Sequence, residues 1–180
     1  MSELVTAVRD DELDRPTPCP GSPAGTLIDH VGTFSRVFQA VAAKDLERAA
    51  RPGLPDGANL EDGWRDRIAS DLDALAEAWS DPAAWTGTTS AGGIEMTGDD
   101  AGLVALDELV VHAWDLAVAT GRPYAPDDAD VAAAAAWITS FDPPRDGSLF
   151  GPRVAGGADA SPLDRLLGLS GRDPGWHPPG

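Results

Sequence analysis

An all-α fold, a four-helix bundle, is what this chain predicts. Apolar residues recur every three or four positions in four long stretches, and proline, glycine and capping residues fill the gaps between them. With 180 residues, 42% of them hydrophobic, the chain suits one domain over 1–180 that buries its core without disulfides or a structural metal.

Each element has a sequence reason. Glu3 to Leu13 predicts a short helix, and the three prolines between Asp14 and Gly21 then forbid helix and strand alike. Ser22-Pro23 offers a serine cap with proline at the first helical position. A long helix is expected from there to about Ala50, with Leu27, Val31, Phe34, Phe38 and Val41 at helical spacing and Arg51 to Gly57 ending it. Leu60, Trp64, Ile68, Leu72, Leu75 and Trp79 mark the second long helix, broken at Asp81-Pro82. From Trp85 to Met96 threonine and glycine dominate, which fits a loop or a short irregular hairpin. Thr97 to Asp100 is a cap-rich start for a third helix, and Thr120-Gly121 with Pro123 stops it. Asp127 and Asp128 open a fourth, alanine-rich helix with Val131, Trp137 and Ile138, ended by Pro143-Pro144. Residues 145–180 read as loop with one helical turn at Pro162 to Gly168. Leu163, Leu166, Leu167 and Leu169 are too apolar for a free tail, so this segment is expected to pack back on the bundle.

Charge narrows the partners. The formal net charge is −17 and Lys44 is the single lysine, which argues against nucleic acid and against an anionic membrane face. No apolar run reaches the ~18 residues of a membrane span and no secretory leader opens the chain, so a cytoplasmic protein is expected. Cys19, alone, excludes an internal disulfide framework and a multi-cysteine zinc site. It reads as a small buried hydrophobe with no evident cation beside it to lower its pKa.

The chemistry concentrates between Ala101 and Ala119. Glu108 and His112 lie four residues apart in a stretch apolar nearly all round, so the helix must be buried and its two ionisable groups project into one volume. Buried charges need partners, and a metal ion is one. His30 sits beside the stripe of the first long helix, facing the same way as Leu27 and Phe34, whereas His177 lies in a Gly/Pro-rich tail. His30, Glu108 and His112 would make a two-histidine, one-carboxylate set with a coordination position left open, as in catalytic zinc sites. Asp115, one turn past His112, would accept the other ring N–H and fix the tautomer. The plainer readings are a surface ion pair for Glu108 and His112 and a carbonyl-bonded core histidine for His30; burial of the stretch favours the metal. The tryptophans read as core first, and Arg122, Arg153, Arg165 and Arg172 as solvated surface groups that only secondarily offer carboxylate recognition.

Thr17-Pro-Cys-Pro-Gly21 ahead of an Asp29-His30-Val31 helix start, Met96-x-Gly98, the Glu108 to His112 segment and Thr120-Gly-Arg-Pro123 resemble the mycothiol-dependent maleylpyruvate isomerase-like family of the DinB-like superfamily. The ending, Phe150 to Val154 and Asp164 to Pro174, is similar to one actinobacterial branch whose members mostly have no assigned substrate. The resemblance runs from about Asp11 to Trp176. It implies a DinB-like four-helix bundle holding a divalent metal on His30, Glu108 and His112, with mycothiol as the thiol in isomerisation or S-transfer. Three departures stand out: Ser22 follows Gly21 where the family usually has tryptophan, the first helix is shortened, and the separate C-terminal domain of maleylpyruvate isomerase is absent. A shortened first helix leaves an apolar groove, which predicts a homodimer.

The leading expectation is therefore a metal-dependent thiol transferase or isomerase. Coordination lowers a thiol's pKa, and the thiolate attacks a small electrophile. Zinc suits the ligand set best, with nickel, iron or manganese as competitors. Two alternatives stay open: metal-assisted hydrolysis with Asp107 or Asp115 as base, and a non-catalytic metal- or ligand-binding protein.

Overall fold

The computed structural model describes residues 1–50, 53–141, 145, 150–157 and 159–179. The N-terminal helix α1 (Ser2–Ala7) is shorter than the expected run to Leu13. Its continuation is lost because the Val8 carbonyl accepts from Arg65 Nε and Nη2 at 3.0 and 2.7 Å, leaving a separate 3-10 turn at Asp10–Glu12.

Helix α2 (Ala24–Ala42) carries His30, but Ser22 is not its cap. The first N–H groups, of Ala24 and Gly25, donate instead to the Arg15 and Leu13 carbonyls at 2.9 and 2.8 Å, so the proline loop itself does the capping. The expected helix to Ala50 is also interrupted. Lys44 takes a left-handed φ of 57°, and N–H groups of Lys44 and Asp45 turn back to the Val41 and Ala40 carbonyls. Lys44 Nζ anchors that unusual conformation by donating to the Ala83 and Ala84 carbonyls at 3.0 and 3.3 Å. A single further turn, α3 (Leu46–Ala49), is capped by Asp45.

Helix α4 (Trp64–Ser80) begins four residues after Leu60, following a 3-10 turn at Gly57–Asn59. Asp29 holds the approach to it, accepting from the Asp56 N–H at 3.0 Å and from Asn59 Nδ2 at 2.8 Å. The Thr/Gly segment forms an antiparallel hairpin, β1 (Thr88–Ala91) with β2 (Ile94–Thr97), in which Thr88 pairs with Thr97 and Ala91 with Ile94. Gly92 and Gly93 both have positive φ, as a tight two-residue hairpin turn requires.

Helix α5 (Gly98–Thr120) has the expected bounds: Thr97 Oγ1 accepts from the Asp100 N–H at 3.1 Å, and Gly121 closes it at φ 69°. Helix α6 (Asp128–Phe141) opens where Asp127 Oδ1 accepts from the Ala129 N–H at 2.8 Å. Its expected stop at Pro143-Pro144 falls outside the described residues. Helix α7 (Pro162–Leu169) runs two turns rather than one, with a Ser161/Asp164 capping box.

The bundle is closed by α1, not by α6. Val5 and Val8 from the N-terminal segment, Leu27, Ile28 and Val31 from α2, Trp64, Ile68 and Leu72 from α4, and Leu116 from α5 make one cluster. The shortened first helix is thus a true corner, while α6, the fourth long periodic stretch, packs outside. Val110 and Val111 on the outer side of α5 meet Val131, Trp137 and Ile138 of α6 and Leu166 and Leu167 of α7. Both leucines are fully buried, worth about 2 kcal/mol each, so the C-terminal segment does pack back as expected. No helix of the described residues is long and apolar enough to cross a membrane.

Glu12, 1% exposed, pins the N-terminal segment to the loop after α5 through Arg122 at 2.8 Å, with Arg9 and Arg15 nearby. The hydrogen bond from Arg122 holds its carboxyl down at about 2, against an ordinary 4.5. A depressed carboxylate pKa stabilises the fold above the unfolded value, and that stabilisation is lost as pH falls towards the folded one. Glu12→Gln is expected to destabilise by about 2 kcal/mol at neutral pH. The gap from the parent should close between pH 4.5 and 2 in chemical denaturation; a gap independent of pH would contradict the assignment.

Candidate metal centre

Packing of α2 against α5 brings His30 to the pair on α5. Glu108 Oε2 stands 3.2 Å from His30 Nε2 and 3.0 Å from His112 Nε2, and the imidazoles meet edge-on with centroids 5.0 Å apart. One donor atom from each residue lies within 4.8 Å of the other two. Zinc bond lengths of about 2.0–2.1 Å at the tetrahedral angle separate two donor atoms by ~3.3 Å, so this set of two nitrogens and one oxygen fits such an ion with little movement. His112 is buried, while His30 and Glu108 keep side-chain exposures of 33% and 30%, which leaves the set open on one side.

Asp115 is where the sequence placed it. Its Oδ2 accepts from His112 Nδ1 at 2.9 Å, which directs Nε2 towards Glu108. The residue that holds Asp115 was missed. Arg172, just after α7, grips it with Nε at 3.0 Å from Oδ1 and Nη2 at 3.0 Å from Oδ2, and its side chain is 10% exposed rather than solvated. Bidentate geometry of this kind fixes a carboxylate in position as well as in charge. An arginine three residues beyond an apolar helix was the available signal; its ordinary loop setting hid the role.

Electrostatics follow from these contacts. Burial alone would lower the His112 pKa, yet Glu108 and Asp115 raise it to about 10. Burial would likewise raise Glu108, but the His112 charge and the bonds from both imidazoles hold it well below the usual carboxylate range. Asp107, 3% exposed, is pushed up to about 7 by burial and by the neighbouring Glu108, and its Oδ1 has no hydrogen-bond partner among the described residues. Asp115 is fully buried and fully engaged, which removes it as a base facing solvent; Asp107 keeps that role open.

Two further sequence expectations change. Cys19 has polar neighbours after all, its sulfur lying within 4.8 Å of donor atoms of His112 and Asp115, the carboxylate that Arg172 grips. It is half-buried against the bundle core, so the expected packing role holds beside that proximity. Arg122 is committed to Glu12 and the Ala7 carbonyl, and Arg165 is exposed. Of the tryptophans, Trp64 and Trp137 are buried core.

A cavity of about 950 Å³ opens onto His30 and Glu108. Phe34, Val37, Val104, Trp137, Phe141 and Phe150 supply apolar lining, and Asp107 also borders it. This volume lies within the ~300–1,000 Å³ range of small-molecule sites.

Comparison with known proteins agrees with this architecture. Residues 1–117 match the family described as the mycothiol maleylpyruvate isomerase N-terminal domain. The uncharacterized proteins Rv0738 and MT0763, from two strains of Mycobacterium tuberculosis, are each 30% identical over 125 residues, 68% of this chain and 62% of their own length. Among solved structures, that of the mycothiol-dependent maleylpyruvate isomerase superposes with a TM-score of 0.59 at 19% identity, over 77% of this chain and 63% of that one.

Proposed function

Because this chain belongs to the mycothiol maleylpyruvate isomerase N-terminal domain family, we propose that it is a metal-dependent thiol transferase or isomerase built on His30, Glu108 and His112. The observation that carries this reading is the convergence of two imidazole Nε2 atoms on one carboxylate oxygen, at 3.2 and 3.0 Å, beside an open cavity. A divalent cation with one free position, zinc best matching the donors, would lower the pKa of a bound thiol and make it nucleophilic at neutral pH. The residues do the rest. Asp115 accepts from His112 Nδ1 so that Nε2 would face the ion, Arg172 holds Asp115 in orientation, and the apolar walls would exclude water from a bound thiol. Mycothiol is the thiol that the family suggests, and a small electrophile is its partner.

Thermal denaturation of stripped and zinc-loaded protein, with and without mycothiol, tests this reading. A thiol present at 100 times its Kd stabilises by about 2.7 kcal/mol, a midpoint rise of roughly 5–10 °C for a chain of this size. The rise is expected only with metal and not with unrelated thiols; a thiol response that ignores metal would count against it. Asp107 supports a second reading, hydrolysis with that carboxylate as proton acceptor, since its pKa near 7 suits a general base. Turnover without any thiol would select it.

A further inference from the structure

We propose that the cavity beside His30 and Glu108 receives an apolar small molecule bearing no anionic group at its acidic rim. The inference concerns binding at the rim and stands apart from the thiol-transfer reading, in which a cation on His30, Glu108 and His112 would attract an anion at the metal.

The lining carries the argument. Aromatic and aliphatic side chains from α2, α5 and α6 form the body of the cavity. Four carboxylates border it, Glu95, Asp100, Asp107 and Glu108, and among the described lining residues there is no lysine or arginine. Glu108 is paired with His112 and the Arg145 guanidinium stands over the Phe150 ring, 5.3 Å from its centroid, so Glu95 and Asp100 carry the acidic character of the rim. Of the four exposed large hydrophobic side chains among the described residues, three also border this cavity, namely Leu54 at 90%, Ile94 at 50% and Phe141 at 47% exposure. An apolar rim of this kind favours a molecule that removes it from water.

An anion would meet the opposite situation. A like charge about 6 Å from one carboxylate, at an effective dielectric near 20, weakens binding roughly 100-fold. A net charge of −17 adds to that repulsion. The cavity therefore selects by charge as well as by shape, against carboxylates and phosphates. Asp107 supplies one polar feature that fits a neutral occupant, for its buried Oδ1 lacks a partner among the described residues and a hydroxyl or N–H would satisfy it.

Two fluorescent probes with the same body test the proposal: neutral N-phenyl-1-naphthylamine and its sulfonated analogue 8-anilino-1-naphthalenesulfonate. Titration of native, metal-free protein is expected to show one neutral molecule per chain, bound at least tenfold tighter than the sulfonate. Glu95→Lys, at an exposed strand position, should raise sulfonate affinity about tenfold and leave the neutral probe within twofold. Val104→Trp should reduce binding of the neutral probe, placing it in this cavity. Equal or tighter binding of the sulfonate, no binding of either probe, or a dimer in solution that shuts out both would overturn the inference. Because the probes are read without metal or thiol, this outcome is independent of the thermal-shift result. Failure of the charge selection and failure of the thiol reading are thereby told apart.

Discussion

Loss of His112 is expected to cost the protein most of its affinity for a divalent cation. Apparent binding energies of ~10–16 kcal/mol spread over four zinc ligands assign about 2.5–4 kcal/mol to each, a factor of roughly 70 to 900 in Kd. Competition calorimetry with zinc on His112→Ala should read that factor, and His177→Ala, at an exposed tail histidine, should leave the affinity unchanged. Glu108→Gln provides a second variant of nearly the same shape: it keeps the volume between the imidazoles and removes the negative charge. It too should bind zinc at least 100-fold more weakly, judged against the ~3 kcal/mol that one ligand carries. Parent-like affinity in both variants would dismiss the proposed ligand set while leaving the helical scaffold intact.

The second large effect belongs to Arg172, which is separated from Asp115 by 57 residues and lies beyond the span matched by the family. Outer partners of metal-binding histidines typically contribute 10–100-fold to affinity, and Arg172→Gln is expected within that range. It also takes the guanidinium from the buried Asp115 and leaves His112 as its remaining partner, a penalty of about 3–5 kcal/mol, or some 6–20 °C in midpoint. Arg172→Lys should recover only part of both, because an ammonium cannot bind two carboxylate oxygens in parallel. Pairing Arg172→Gln with Asp115→Asn separates the two effects. Removing the buried charge should restore most of the stability, whereas zinc affinity should stay low because His112 loses its charged acceptor. Recovery of affinity together with stability would reduce Arg172 to a packing role.

Much of this was readable in the chain because the signals are local. The bounds of α5 followed from Thr97 and Gly121, and the Glu108/His112 pairing from their four-residue spacing on a helix apolar nearly all round. The direction of His30 followed from its place beside a helical stripe, and its meeting with Glu108 needed only that two buried faces pack. What stayed hidden depends on contacts between distant segments. Ser22 had the chemistry of a cap, but backbone carbonyls at Leu13 and Arg15 reached the helix first. Lys44 broke α2 through an ammonium that bonds carbonyls some forty residues away. Periodicity counted α6 as a bundle helix because it reports that a face is buried and not what it is buried against. Arg172 and Cys19 sit in loops, where spacing says nothing about neighbours.

That α6 stands on the outer side of α5 divides the molecule into a floor and a wall of separate origin. His30, Glu108 and His112 come from helices whose mutual packing is closed by α1 and α4, whereas Trp137 and Phe141 come from α6 and Phe150 from the segment after it. The wall can therefore be exchanged for that of a relative without rebuilding the floor, provided the incoming segment brings a guanidinium to Asp115. Chimeras joined at Gly121 would alter the apolar lining while leaving His30, Glu108 and His112 in place.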